Sequence, residues 1–588
     1  MRLAITTLCL LLSGILFSSL MPTPSPTLSP LVQNALDNFR TGSRDFSASC
    51  NKLSQTLKDL TPKNKQSILA ARQALTEARN NYKRIESFME YFFLTSARIY
   101  NSPPKFEGEE PAMEYQAPMG LQVIEDGLFQ KEQDLTVILK ELRLQANAIA
   151  GSAADIPAML YDFQATDAQL LESLRLELIR IMTLGITGYD APLIKTGITE
   201  SYAALQSLSQ QLAPSLDHAN TPTDSLKKTL AASLSYLHDH PGFDEFDRLE
   251  WLTGYALPLQ RQLGDFIRRQ GLEINSGTAL NFGADHLFSR NAFATENFPD
   301  GSRQTDTPLV TMGRMLFFDQ SLSGNGKRSC ATCHMPEKMF TDGRTKGLAI
   351  DEHSPLPRNT PTLLYSSLQY AQFWDGRATS LRRQIGMVLA NPAEMQADTV
   401  HMDLDRISAA LAAYLHTLNP FKSAFDRYMG GDTKALDERA RHGANLFMGR
   451  AQCATCHFAP LFNGLIPPYY KVTEFEVLGT TATDNLTKPR LSPDSGRYAI
   501  YPLDFYLSAF KTPTVRNAAL TAPYMHNGAF HDLESLMEFY NRGGGAGLGL
   551  DLPTQTLPAR PLNLSKNDVA DIILFIQSLS DPAESVKK

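Results

Sequence analysis

The chain has little that would tie it to a nucleic acid or a membrane. Its 588 residues carry a formal net charge of −7. Neither a polyanion nor an anionic membrane surface is its evident partner. Beyond the first 20 residues no run is apolar enough to span a bilayer. Tryptophan is nearly absent, with two residues, and cysteine is scarce, with six. Cys9 lies in the N-terminal leader and lacks the small residues that precede a lipidated cysteine. Four more cysteines fall in two copies of one pentapeptide. Cys50 is thereby left unpaired and reads as a buried thiol rather than a reactive one.

That pentapeptide is CATCH. It stands in SCATCHMP, with Cys330, Cys333 and His334, and again in QCATCHFAP, with Cys453, Cys456 and His457. Two cysteines two residues apart, followed directly by histidine, are the attachment signature of c-type haem. The two thiols bond covalently to one porphyrin, and the histidine serves as the proximal iron ligand. A zinc site would want a second ligand pair nearby, and none appears. A redox CxxC would sit in a βαβ pattern, and neither copy does. Two covalently bound c-type haems are expected.

The leader MRLAITTLCLLLSGILFSSL, residues 1–20, has an early arginine and an apolar run. It reads as a secretory signal or an N-terminal membrane anchor, followed by a Pro/Ser-rich linker over 21–30. Export fits covalent haem, which bacteria attach outside the cytoplasm, so a periplasmic location is expected. The length allows several domains. Residues 31–285 read as helical, with Leu135, Ile138, Leu139, Leu142 and Ala146 on one amphipathic face. Similar patterns surround Ile85–Phe93 and Leu170–Ile181. NSPPKFEGEEP and HDHPGFDEF read as breaks. The second half holds a weak internal repeat, GRMLFFDQSLSGNGKRSCATCH and GANLFMGRAQCATCH. Each copy leads to an amphipathic helix, one near Ile407–Leu418 and one in SKNDVADIILFIQSL with Ser565 as N-cap. The expected fold is mainly α: an N-terminal helical bundle, then two cytochrome c-like domains, 300–430 and 431–585, each with one covalent haem. The boundary between these two is placed near Gly430–Gly431.

Residues 300–585 resemble the bacterial di-haem cytochrome c peroxidase/MauG family. The resemblance rests on LFFDQSLSGNGKRSCATCH, RNTPTLL, FWDGRATSLRRQ, NPAEM and LTAPYMHNGAFHDLESLMEFYNRGG, in the family's order. It implies that peroxide reacts at the first haem. Gln384 and Glu394, ten and twenty residues after Trp374, match the family's glutamine and glutamate over that iron. The glutamate would move a proton between the peroxide oxygens, and the glutamine would orient peroxide. Trp374 matches the electron stepping stone between the haems. Asn359, Thr521 and Pro523 match an interdomain calcium site built of oxygen ligands. The second haem's distal ligand separates the branches. Fourteen residues after His526, where peroxidases carry methionine, this chain has Tyr540, as MauG-like members do. A phenolate favours ferric iron, whereas methionine raises the potential. Met537 and Met525 are the rival ligands. The family's displaceable distal histidine is replaced by Asp351; His353, two residues away, is either a ligand or a loop residue.

The first half, in YKRIESFMEYFF and GLQVIEDGLF, resembles the imelysin/EfeO-like helical family. Gly120, Gln122 and Glu125 occupy that family's Gly-x-His-x-x-Glu frame, with glutamine for histidine. This puts a metal or peptidase role in doubt and favours a docking or spacer domain over 31–285. The leading expectation is an exported peroxidase that reduces hydrogen peroxide with electrons from a small cytochrome c or cupredoxin. The alternatives are a MauG-like oxidase acting on a protein substrate, and a non-enzymatic electron-transfer cytochrome.

Overall fold

The computed structural model describes residues 28–109, 114–217, 223–301 and 307–586. The leader, Cys9 and all but the end of the linker lie outside them. The described chain is mainly helical, with two short antiparallel strand pairs. Among the described residues no helix is long and apolar enough to cross a membrane.

The first helix, Pro30–Asp59, shows why this sequence is helical here. The Ser29 hydroxyl accepts a hydrogen bond from Val32 N, and Pro30 occupies the first turn, where its missing N–H has no cost. Leu36, Phe39, Phe46, Cys50, Leu53 and Leu57 fall on one buried face. That face packs on the helices Lys65–Lys83, Glu132–Asp155 and Gly197–Asp217. Cys50 is buried, and burial pushes its thiol up. Of the expected apolar face in Glu132–Asp155, Leu135, Leu139, Leu142 and Ala146 are buried and Ile138 is half-buried.

Several boundaries differ from the sequence reading. Ile85–Phe93 is one short helix, Glu86–Phe92, with Ile85 and Phe93 as its caps, and a second short helix, Leu94–Asn101, follows it. The break at NSPPKFEGEEP holds a short strand, Glu107–Glu109, which pairs antiparallel with Glu114–Gln116. The helix expected near Ile407–Leu418 is Leu404–Leu415, because Asp403 caps it by accepting from Arg406 N. The C-terminal helix is as read: Lys566–Ser578, with Ser565 and Asp568 forming a capping box.

The internal repeat has a packing cause. Thr307–Phe318 crosses Leu404–Leu415, and Glu438–Met448 crosses Lys566–Ser578. At Gly313 a Cβ would fall 1.9 Å from the Ala410 carbonyl oxygen, and at Gly443 one would fall 1.8 Å from that of Asp571. The glycine shared by the two copies lets each helix pair touch backbone to backbone. One connected apolar core joins Phe39 and Trp251 of the first half to Phe447 and Phe575 of the second. The second strand pair, Phe475–Val477 with Ala509–Lys511, supplies part of the wall described next.

Candidate active site

Each CATCH motif folds as a single turn. Cys330–Cys333 is one helical turn started by Ser329, whose N–H donates to Thr332 Oγ1 at 3.0 Å. Cys453–Thr455 is a 3-10 turn. Each histidine directly follows its second cysteine, and its Nδ1 meets main-chain carbonyls. His334 Nδ1 is 3.0 Å from Phe340 O. His457 Nδ1 is 3.0 Å from Pro513 O and 3.3 Å from Phe462 O. An Nδ1–H donated to a carbonyl fixes the tautomer whose Nε2 can ligate a metal. All four thiols are free. Burial pushes Cys330 and Cys453 up to about 12, and raises Cys333 and Cys456 as well.

The two motifs face one cavity of about 1040 Å³, lined by Cys330, Cys333, His334, Cys453, Cys456 and His457. Paired cysteines and oriented histidines from both motifs on one cavity fit two covalent haems. The same cavity is lined by Trp374, Gln384, Glu394 and Tyr540, and by Asn359, Thr521 and Pro523. The structure thus brings together residues spread over 211 positions, Cys330 to Tyr540. Gln384 sits on the helix Leu381–Ala390, capped by Ser380. Trp374 is fixed at both ends of the residue. Its indole N–H donates to Asn359 O at 2.9 Å, and its carbonyl accepts from Lys511 N at 2.8 Å. Tyr540 sits on the helix Leu533–Asn541, and burial raises its hydroxyl well above the usual tyrosine range. Met537 and Met525 line the cavity as well.

Glu394 is the carboxylate whose environment suits proton transfer. Burial raises it above the ordinary carboxylate range, against Arg377, Asn391 and Arg328, which favour its charged form. Asn359 Nδ2 donates to Arg344 O at 2.9 Å. Among the described residues no group of three or more His, Cys, Asp or Glu side chains is placed to hold a metal ion. A cation near Asn359 would therefore rest on amide, hydroxyl and carbonyl oxygens. His353 is exposed, its N–H donating to Asp351 Oδ1 at 2.9 Å, and it is not part of the cavity wall. Gln122 and Glu125 lie buried in the first half. Gln122 donates to Asn101 O and Asp190, and Glu125 accepts from Leu193 N and Ile194 N.

Four features were not legible in the motifs. Arg358 bridges two acids, donating to Asp375 Oδ2 at 2.5 Å and to Asp494 at 2.7 and 2.9 Å. His526 is stacked on Phe510 at 3.6 Å between ring centroids, and its Nε2 is 3.0 Å from Ser492 Oγ. Burial pushes it down to about 3, although Asp494 works the other way. Lys511 lines the cavity with its ammonium on Gln369, and burial pushes it down to about 8. The fourth feature is Lys105, from the first half, which meets Glu474 and the cavity-lining Glu476. No local pattern announces a pair whose members are 371 residues apart.

A family model described as di-haem cytochrome c peroxidase matches residues 307–402. The chain is 32% identical over 317 residues to methylamine utilization protein MauG of Methylorubrum extorquens, across 49% of this chain and 83% of that protein. It is 31% identical over 329 residues to cytochrome c551 peroxidase of Nitrosomonas europaea, across 51% of this chain and 89% of that protein. A crystal structure of a MauG-like protein associated with microbial copper homeostasis is similar at 28% identity and a TM-score of 0.41, covering 49% of this chain and 92% of that one.

Proposed function

The chain belongs to the di-haem cytochrome c peroxidase and MauG family, and on that premise we propose that it is an exported periplasmic enzyme reducing hydrogen peroxide to water. Cys330, Cys333 and His334 would hold one haem. Cys453, Cys456 and His457 would hold the other, with Tyr540 as its further ligand. A c-type haem, when bound, supplies an iron that exchanges electrons with peroxide or with its neighbour. Each peroxide takes two electrons and two protons to give two waters. Gln384 orients peroxide by donating a hydrogen bond. The Glu394 carboxylate takes the proton of the near oxygen and returns it to the far oxygen, which leaves as water. Its raised affinity for protons supports this, since it brings release and capture closer to neutral pH. Trp374 passes electrons between the two sites, with its indole held by Asn359 O and its carbonyl by Lys511 N. Asn359, Thr521 and Pro523 supply calcium ligands between the domains 300–430 and 431–585. Residues 31–285 form a helical docking or spacer domain.

The observation that carries this reading is the one cavity lined by both CATCH motifs and by Trp374, Gln384 and Glu394. A small cytochrome c or cupredoxin would deliver the electrons. Tyr540 on the same wall favours a second reading, oxidation of residues in a partner protein as in MauG-like members. An electron-transfer cytochrome without catalysis would not need Glu394 there. The test is peroxide consumption by the two-haem protein supplied with reduced small cytochrome c. Electron paramagnetic resonance with and without peroxide accompanies it. Rapid donor oxidation is expected; a protein that exchanges electrons but leaves peroxide intact would be a carrier.

A further inference from the structure

The helical first half does not merely sit beside the cavity; it closes on the second CATCH motif from several directions. Gln452, just before Cys453, donates through Nε2 to Pro192 O at 2.7 Å. Phe458, just after His457, lies edge-on to Tyr189 at 5.5 Å. Phe106 stacks on Phe505 at 5.5 Å. Between these contacts Lys105 reaches inward. Its ammonium meets Glu474 and lies 2.8 Å from Glu476 Oε1. Both carboxylates are more than nine-tenths buried, and Glu476 lines the cavity together with Cys456 and Tyr540.

Two buried carboxylates side by side are costly unless a cation faces them. Burial works to raise Glu476, but the Lys105 ammonium, together with the hydrogen bonds to Lys105, Thr556 and Glu474, holds the group below the usual carboxylate range. Glu476 is therefore held toward its charged form with Lys105 in place. We infer that Lys105 is a positioning residue of the second haem site, through which the first half sets the charge beside that haem and so its reduction potential. The inference rests on the reading that Cys453, Cys456 and His457 carry a haem. Negative charge near the iron favours the ferric state. Removing the lysine charge should lower the potential, and removing one carboxylate should raise it.

The test uses the full two-haem protein and spectroelectrochemical titration of each haem. Lys105→Gln is expected to shift the second haem's ferric-to-ferrous ratio on the order of tenfold toward ferric, about 59 mV for one electron, with a smaller shift at the first. Lys105→Arg should keep the potential near that of the parent. Glu474→Gln, which leaves Lys105 on Glu476, should move it upward, and it decides the matter if Lys105→Gln does not fold. An unchanged second potential in Lys105→Gln overturns the proposal. So do equal shifts at both haems, or the same drop in Lys105→Arg. A haem count by the pyridine haemochrome method separates this failure from the other: one haem per chain would mean the underlying site assignment is wrong.

Discussion

Replacing Glu394 by glutamine removes a proton carrier while keeping shape. The amide fills the same volume on the cavity wall, so His334 and the thiols of the first motif are left undisturbed. What changes is that the group can no longer accept a proton. Positioned general acid–base groups typically contribute about 10²–10⁴-fold, which at 1.36 kcal/mol per tenfold is roughly 3–5 kcal/mol of barrier. The structure also gives the pH dependence its sign. Burial raises the Glu394 carboxyl above its ordinary range despite Arg377 and Arg328. The carboxylate is thus lost as pH falls through that raised value, and turnover should fall with it. In Glu394→Gln the rate should be uniformly low and this acid limb should vanish. The assay is stopped-flow mixing of reduced, fully haem-loaded protein with peroxide over a pH series. Retention of both the rate and the acid limb would refute the assignment of Glu394.

Three further outcomes are expected. Tyr540→Met should raise the second haem's potential and introduce a methionine–iron band in the near infrared; the same band in the unmodified ferric protein would transfer the ligand role to Met537 or Met525. Arg516→Met should lower resistance to denaturant by about 3–5 kcal/mol, because it strands the buried Asp426 that now accepts two hydrogen bonds from Arg516 at 2.7 and 3.0 Å; a loss below about 1 kcal/mol, the worth of an exposed pair, would contradict this. His526, held down to about 3, should leave stability intact above about pH 6.5, the usual histidine value, and withdraw it as pH falls toward 3. In that window the unfolded chain binds the extra proton, at roughly 1.4 kcal/mol per pH unit. A His526→Gln protein whose stability falls as steeply with acid as the parent's would exclude His526 as the cause.

The sequence by itself determined whatever depends on neighbours in the chain. The two CATCH motifs specify thiols and a histidine on one turn, because covalent attachment to a porphyrin demands that spacing. The C-terminal helix was legible down to its cap, since Ser565 and Asp568 complete one another within four residues. Gln384, Glu394, Trp374 and Tyr540 were legible only as members of a family pattern, whose offsets stand in for distances the chain alone does not give. Their meeting on one wall was decided by the tertiary structure, as was the exposure of His353. The glycines of the repeat were visible as letters, but their purpose, backbone contact of Gly313 with Ala410 and of Gly443 with Asp571, appears only when the helices cross. Arg358 with Asp375 and Asp494, and Lys105 with Glu474 and Glu476, left no trace in the sequence. An ion pair is selected by position in space. Once the chain has folded, residues 371 apart share one low-dielectric pocket, where each charge requires the other.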